Sequence, residues 1–170
     1  MLVKRTKGRA TITAFIEFAT ELETEHLQLR PVLSTDATFF YEMLANAQVR
    51  KYLGGPVAKA QHEARFQSYL QGAKGIGIWI VALKNDPKPK GLVVLSPHRE
   101  NRDYEISYEF HPNYWGKGYA TCAVDRVVEH AFSDTKLTSI IAETPCANEA
   151  SLRLLRALKF HELERLSRFG

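Results

Sequence analysis

The apolar positions change period several times along the chain, and each change marks an element. Over residues 11–18, Ile12, Ala14, Ile16 and Phe18 fall on one side of a two-residue repeat, the pattern of a half-buried strand. Residues 26–30 alternate in the same way, and Pro31 closes them. Ser34-Thr35-Asp36 reads as the N-cap of a helix that ends near Asn46. Gly54-Gly55-Pro56 is a turn, and residues 58–70 read as a second, polar helix. Three strands are expected next, at 76–83, 91–96 and 103–111. The first two are joined by Asn85-Asp86-Pro87 and the next pair by the loop 97–102. Such short connections make neighbouring strands antiparallel.

The period then lengthens. Ala120, Ala123, Val124, Val127, Val128 and Ala131 recur at three- and four-residue spacing, which predicts an amphipathic helix over 118–132. Residues 138–143 are rich in β-formers. Strand 103–111, the helix and strand 138–143 make a β-α-β unit, the one place where a parallel pair is expected. Asn148 caps a last helix with apolar positions Leu152, Leu155 and Leu158, and 160–169 predicts a final strand. Residues 1–9 carry Lys4, Arg5, Lys7 and Arg9 without periodicity and read as mobile. The expectation is one α/β (α+β) domain over 1–170, its sheet mostly antiparallel and parallel at a single junction, where an open sheet holds its ligand.

Composition narrows this little. Hydrophobic residues make up 45% and charged residues 25%, an ordinary globular balance. No apolar run approaches a bilayer span, and no continuous apolar run with a cleavage site follows the basic N-terminus. The chain is read as cytoplasmic, with no membrane partner. Cys122 and Cys146 are too few for a disulfide framework or a zinc site, and each reads as a buried small hydrophobe. The net charge of +4 suits an anionic ligand such as a phosphorylated cofactor and equally suits loose attraction to RNA.

Gly116 and Gly118 stand between a strand and a helix. Glycine lets the backbone adopt positive φ and approach a ligand, so successive N–H groups can converge on one anion. The unpaired N–H groups of the helix start add partial positive charge, and a pyrophosphate fits there without a lysine. The plain alternative is a tight strand-to-helix turn. Neither a Walker pattern nor a dinucleotide fingerprint is present.

The run from Tyr104 through Thr121, YEISYEFHPNYWGKGYAT, with Asn148-Glu149-Ala150-Ser151 and the helix to Phe160, resembles the GNAT family of N-acetyltransferases. The likeness is strongest to the branch of ribosomal-protein N-terminal (alanine/serine) acetyltransferases. Leu27-Gln28-Leu29-Arg30-Pro31 and the turn 49–56 also fit, so the resemblance covers about 24–165. It implies a GNAT-like sheet with a splayed parallel pair and flanking helices. It also implies acetyl-CoA as cosubstrate, no metal, and an amine acceptor, either a peptide N-terminus or a small molecule. Main-chain N–H groups of Gly116, Lys117, Gly118, Tyr119, Ala120 and Thr121, with Trp115 beside them, are then expected at the pyrophosphate. Phe110 and His111 are expected to pair with the pantetheine arm and Asn148 to bond it, with Ser151 near the departing sulfur.

Acetyl transfer requires a deprotonated amine, a stabilised carbonyl oxygen and a leaving thiolate. The Phe110 N–H is a candidate for the oxygen. Glu105 and Glu109 share a strand face, and Glu105 is the expected base; the alternative is a solvated carboxylate or a pair with Arg99 or Arg102. Ser151 is the expected thiolate partner, or simply a helix N-terminal residue. Tyr108 and Tyr119 read as packing and cofactor-wall residues, and Trp79 as pocket wall or core.

Family members end in a hairpin whose last strand lies beside the strand corresponding to 138–143, and here only the first strand of that hairpin is expected. The strand at 11–18 is expected to fill the slot, in its own molecule or by exchange in a homodimer. Two other classes stay open: a non-catalytic acyl-CoA-binding module, and a ribosome- or RNA-associated protein with a vestigial cofactor site. Specific nucleic-acid binding is not expected.

Overall fold

The structure, a computed structural model, describes residues 1–7, 18, 20–98, 103–135 and 137–165. Eight strands form one sheet: β1 Leu2–Thr6, β2 Leu22–Glu23, β3 Leu27–Arg30, β4 Gly77–Leu83, β5 Asp86–Pro97, β6 Tyr104–Phe110, β7 Ser139–Glu143 and β8 His161–Glu164. Their order is β2-β3-β4-β5-β6-β7-β1-β8, antiparallel throughout except for β6 against β7. Among the described residues four α-helices flank it: α1 Ala37–Ala45, α2 His62–Gln71, α3 Tyr119–Asp134 and α4 Glu149–Ala157. This is the expected mixed sheet with a single parallel junction.

Strand alternation divides the core into two layers. Leu27, Leu29, Trp79, Val81, Val93, Leu95, Ile106, Phe110, Ile140 and Ala142 face α3 and α4. Ile80 and Leu92 face the other way, against Phe39, Phe40, Met43 and Phe66 of α1 and α2. Trp79 is therefore core. It is fully buried, and its indole Nε1 donates to the Thr20 carbonyl at 2.9 Å. The N-cap expected at 34–36 takes a specific form: the buried Asp36 carboxylate accepts from the Leu33 N–H and holds Arg30 through two bonds of 2.8 Å.

Three expectations need correction. Residues 1–9 were read as mobile, yet β1 is an interior strand one place from the β8 edge, pairing with β7 from Leu2↔Glu143 to Thr6↔Ser139 and with β8 on its other side. Its charges are neutralised by residues distant in sequence: Lys4 bonds Asp103 at 3.0 Å, and Arg5 bonds Asp125 at 2.9 Å. The slot beside β7 is thus filled from the N-terminal side, by 2–6. The strand expected at 11–18 lies outside the described residues, apart from Phe18, whose ring packs edge-on to Trp79 and Tyr104. Cys122 and Cys146 are exposed, on the first turn of α3 and in the loop after β7, so neither is a core residue.

Candidate active site

The junction between β6 and β7 is a fork, and main-chain bonding shows what it presents. The His98 N–H donates to the Asp103 carbonyl and the His111 N–H to the Lys90 carbonyl, each at 2.9 Å. In an antiparallel ladder these bonds assign the odd-numbered residues of β6 to exchange with β5, and turn the main-chain groups of the even-numbered residues toward β7. Yet β7 is in register with β6 only at Tyr104↔Ile140 and Glu105↔Ile141. Beyond that point the N–H groups of Tyr108 and Phe110 point into the gap between the strands. The Phe110 carbonyl there accepts the Trp115 indole N–H at 2.7 Å, which ties the following turn to the strand end. Gly91 permits this packing, since a Cβ there would lie 2.5 Å from the Phe110 ring.

The turn then enters α3. Gly116 and Gly118 adopt φ of 72° and 78°, and a Cβ on either would meet nothing within 4 Å, so the turn opens onto free space. No side chain caps α3, and the first intrahelical bond is that from the Cys122 N–H to the Gly118 carbonyl. The N–H groups of Tyr119, Ala120 and Thr121 are left directed outward, with the positive end of the helix behind them. The turn is braced from below by Lys90, only 1% exposed, whose Nζ bonds Asp86 at 2.5 Å and lies 5.0 Å from the Tyr114 ring centre. Lys117 Nζ lies over the same ring at 5.5 Å. His111 serves the turn: its N–H is taken by Lys90, and its Nδ1 accepts from the Asn113 N–H at 3.3 Å. The main-chain N–H groups that face the gap are those of Tyr108 and Phe110.

On the other side of the gap, α4 begins at a capped turn. Asn148 Oδ1 accepts the Ser151 N–H at 3.2 Å, leaving the Asn148 amide nitrogen as a donor. The hydroxyls of Ser151 and Tyr108 share a bond of 2.8 Å. Burial pushes the Tyr108 phenol up to about 12, with the Ser151 bond opposing the shift. Tyr108 reads from sequence as a wall residue. Its role as the hydroxyl partner of Ser151 was missed because the two are joined only once β6 and α4 meet.

The odd-numbered side chains of β6 face the opposite layer, toward α1 and α2. Glu105 stands in the last registered pair, at the apex of the fork. Glu109 lies further along, 3.5 Å from the Arg50 guanidinium, which also donates to the carbonyls of Leu53 and Gly55. Burial drives the Glu109 carboxyl up, while Arg50 and Arg65 pull it down. Tyr69 is pushed up by burial and then by the Glu109 charge. His98 and Glu143 meet at 3.1 Å on the same face. The sequence reading offered Arg99 and Arg102 as partners for these carboxylates; both lie outside the described residues, and Glu109 is held by Arg50.

The arrangement separates two tasks. An uncapped helix start and a hydroxyl pair lie on the α3–α4 side, and a carboxylate-lined surface lies on the α1–α2 side. The fork joins them. Among the described residues no group of three or more His, Cys, Asp or Glu is placed to hold a metal ion, and no helix is long and apolar enough to cross a membrane.

Comparison with known proteins agrees with this geometry. Residues 26–161 match the family described as Acetyltransferase (GNAT) domain. An uncharacterised N-acetyltransferase of Bacillus subtilis (strain 168) is 29% identical over 147 residues, covering 83% of this chain and 82% of that protein. The ribosomal-protein-S5-alanine acetyltransferase of Vibrio fischeri has a similar structure, with a TM-score of 0.66 and 26% identity over 82% of this chain and 81% of that one. The spermidine N-acetyltransferase of Vibrio cholerae, solved with CoA and spermine, shares the fold at a TM-score of 0.71 and 21% identity, over 84% and 85% of the two chains. The family match spans most of the chain, and the fork, the glycine turn and the two-layered sheet all agree with it: this protein belongs to the GNAT acetyltransferase family and is an acyltransferase.

Proposed function

We propose that the protein transfers the acetyl group of acetyl-CoA to a primary amine, with a peptide or protein α-amine favoured over a polyamine or aminoglycoside. The observation that carries the reading is the fork. Its open main-chain N–H groups lie between a bare helix N-terminus on one side and Glu105 on the other. The main-chain N–H groups of Gly116, Lys117, Gly118, Tyr119, Ala120 and Thr121 fit a pyrophosphate, with Trp115 fixing the turn. The Phe110 N–H fits the carbonyl oxygen, where one such donor is worth about 3 kcal/mol in the transition state. The Asn148 amide fits the pantetheine. Ser151, backed by the Tyr108 hydroxyl, fits as the proton source for the departing thiolate.

An acceptor reaching the fork from the α1–α2 side meets Glu105, which would take the proton from its ammonium. The ribosomal-protein and spermidine acetyltransferases act on a protein N-terminus and a polyamine respectively, so both classes belong in the test. β1 completes the sheet within its own chain, so strand exchange is not needed for the fold; light scattering reads whether a dimer forms. The reading carries the cytoplasm as its compartment.

The test is thiol release from acetyl-CoA over alanine- and serine-initiated peptides, spermidine and kanamycin. Release with at least one amine supports transfer. CoA binding without release from any would instead indicate an acyl-CoA-binding module.

A further inference from the structure

The bond between His98 Nε2 and Glu143 Oε1, 3.1 Å, joins the end of β5 to the end of β7 and so has to pass over β6. The register says where. His98 stands level with Asp103, to whose carbonyl its N–H donates, and Ser96 stands level with Glu105. Glu105 is paired with Ile141, two residues before Glu143, in the last registered pair of β6 and β7. The bond therefore crosses β6 near its last registered pair, and Glu105 is the β6 side chain of that pair, diagonal to His98 on the same face. All three side chains lie on the α1–α2 face, because their neighbours Leu95, Ile106 and Ala142 belong to the opposite layer. His98 and Glu143 are also largely sheltered, with side chains 12% and 28% exposed.

We propose that His98, held by Glu143, is the proton relay behind Glu105. This rests on the acetyl-transfer reading above, with Glu105 as the base. A carboxylate that takes the ammonium proton must lose it again before the next turnover, and Glu105 is itself half-buried. The steps balance as follows. The ammonium gives one proton to Glu105, and the freed nitrogen lone pair forms the N–C bond to the acetyl carbon. The C–S bond breaks with its electron pair on sulfur, and the second amine proton is lost as the amide forms. The thiolate takes a proton from the Ser151–Tyr108 pair, and the second amine proton, lost as the amide forms, restores that pair. Glu105 then passes its proton to the His98 ring. With Nε2–H directed to Glu143, Nδ1 is the atom that accepts, and the resulting imidazolium is stabilised by the Glu143 carboxylate until it releases the proton to solvent. His98 acts through Glu105 and touches no substrate, so it is a positioning residue.

The test uses H98A, H98Q, E143Q and the double variant H98A/E143Q in the full chain, with whichever of an alanine-initiated peptide, spermidine or kanamycin the wild type turns over. H98A and H98Q should lower kcat by about tenfold to a hundredfold, the lower range of acid–base effects, with the KM for acetyl-CoA unchanged. Added imidazole should restore H98A in a concentration-dependent way. E143Q should fall in the same direction, and H98A/E143Q should be no worse than about threefold below the weaker single variant, because the two act as one unit. A wild-type kcat in H98Q overturns the relay. So does a loss in H98A that imidazole leaves untouched, or a double variant whose losses multiply. If the wild type turns over none of the amines, the transfer reading itself falls, and the relay falls with it.

Discussion

Replacing Arg50 with methionine isolates the buried ion pair on the acceptor side of the sheet. Arg50 is largely buried, and the guanidinium donates to the Leu53 and Gly55 carbonyls as well as facing Glu109 at 3.5 Å. Methionine keeps much of the volume and removes all three interactions. What remains is a sheltered carboxylate without its counter-ion, a change that costs about 3–5 kcal/mol when a buried pair is broken from one side. The loss depends on pH, and its sign follows from the direction of the Glu109 shift. Burial already holds the folded-state value above the ordinary carboxylate range, with Arg50 opposing. A carboxylate raised in this way contributes stability that is complete below the unfolded value and is lost as pH rises through the folded one. Removing Arg50 raises the folded value further. R50M should therefore show its smallest deficit, that of the lost Leu53 and Gly55 bonds, near pH 4.5 and fall furthest below wild type above pH 7. R50M/E109Q, which has no charge left to strand, should recover about 2 kcal/mol of the loss at pH 8. Urea unfolding of the wild type and both variants at pH 4.5 and pH 8 reads these differences. An R50M deficit that is the same at both pH values, or a double variant no more stable than R50M at pH 8, would refute the reasoning.

Other changes probe the remaining parts of the site and the fold. Gly118→Val places a β-branched residue at φ 78°, where an L side chain costs roughly 1–2 kcal/mol. CoA affinity by calorimetry should weaken by about tenfold, and an unchanged affinity would remove the turn from the cofactor site. Tyr108→Phe deletes the hydroxyl that backs Ser151 and should lower kcat by about a hundredfold at constant acetyl-CoA KM. The same variant tests the raised phenol, pushed up to about 12. That contribution is complete below pH 10 and lost as pH rises through the folded value, so Tyr108→Phe should lose less stability than wild type between pH 10 and 12. Lys4→Pro breaks a strand paired on both edges, at Ile141 and His161, and should cost about 3 kcal/mol or more in a thermal or urea melt. A variant within 1 kcal/mol of wild type would place β1 outside the stable sheet.

What could be read in the sequence was whatever local pattern decides. The continuous apolar run of β4, buried on both faces, the alternation of β6 and the three- and four-residue spacing of α3 are local patterns, so their elements followed directly. The start of β5 did not, because Asp86-Pro87-Lys88-Pro89 carries turn chemistry. The strand begins there all the same, pairing irregularly with β4 at Ala82↔Pro89 and Leu83↔Asp86. β1 was hidden for a different reason. Val3 is its one buried hydrophobe, and Lys4 and Arg5 look like solvent residues until Asp103 and Asp125 are brought beside them. The site divides in the same way. The glycine turn and the Asn148 cap are local and were legible. The Arg50–Glu109 pair, the Tyr108–Ser151 bond and the His98–Glu143 bridge each join residues from separate elements, and no periodicity within one segment announces them.

The central claim is that the two sides of the fork divide the work, with cofactor binding on the α3–α4 side and proton removal at Glu105. Glu105→Gln separates these most directly when CoA affinity and single-turnover thiol release are measured on the same preparation, with an amine the wild type accepts. The account predicts affinity within about twofold of wild type and release slower by about a hundredfold or more. Wild-type release, or a loss explained by weakened CoA binding, would contradict it.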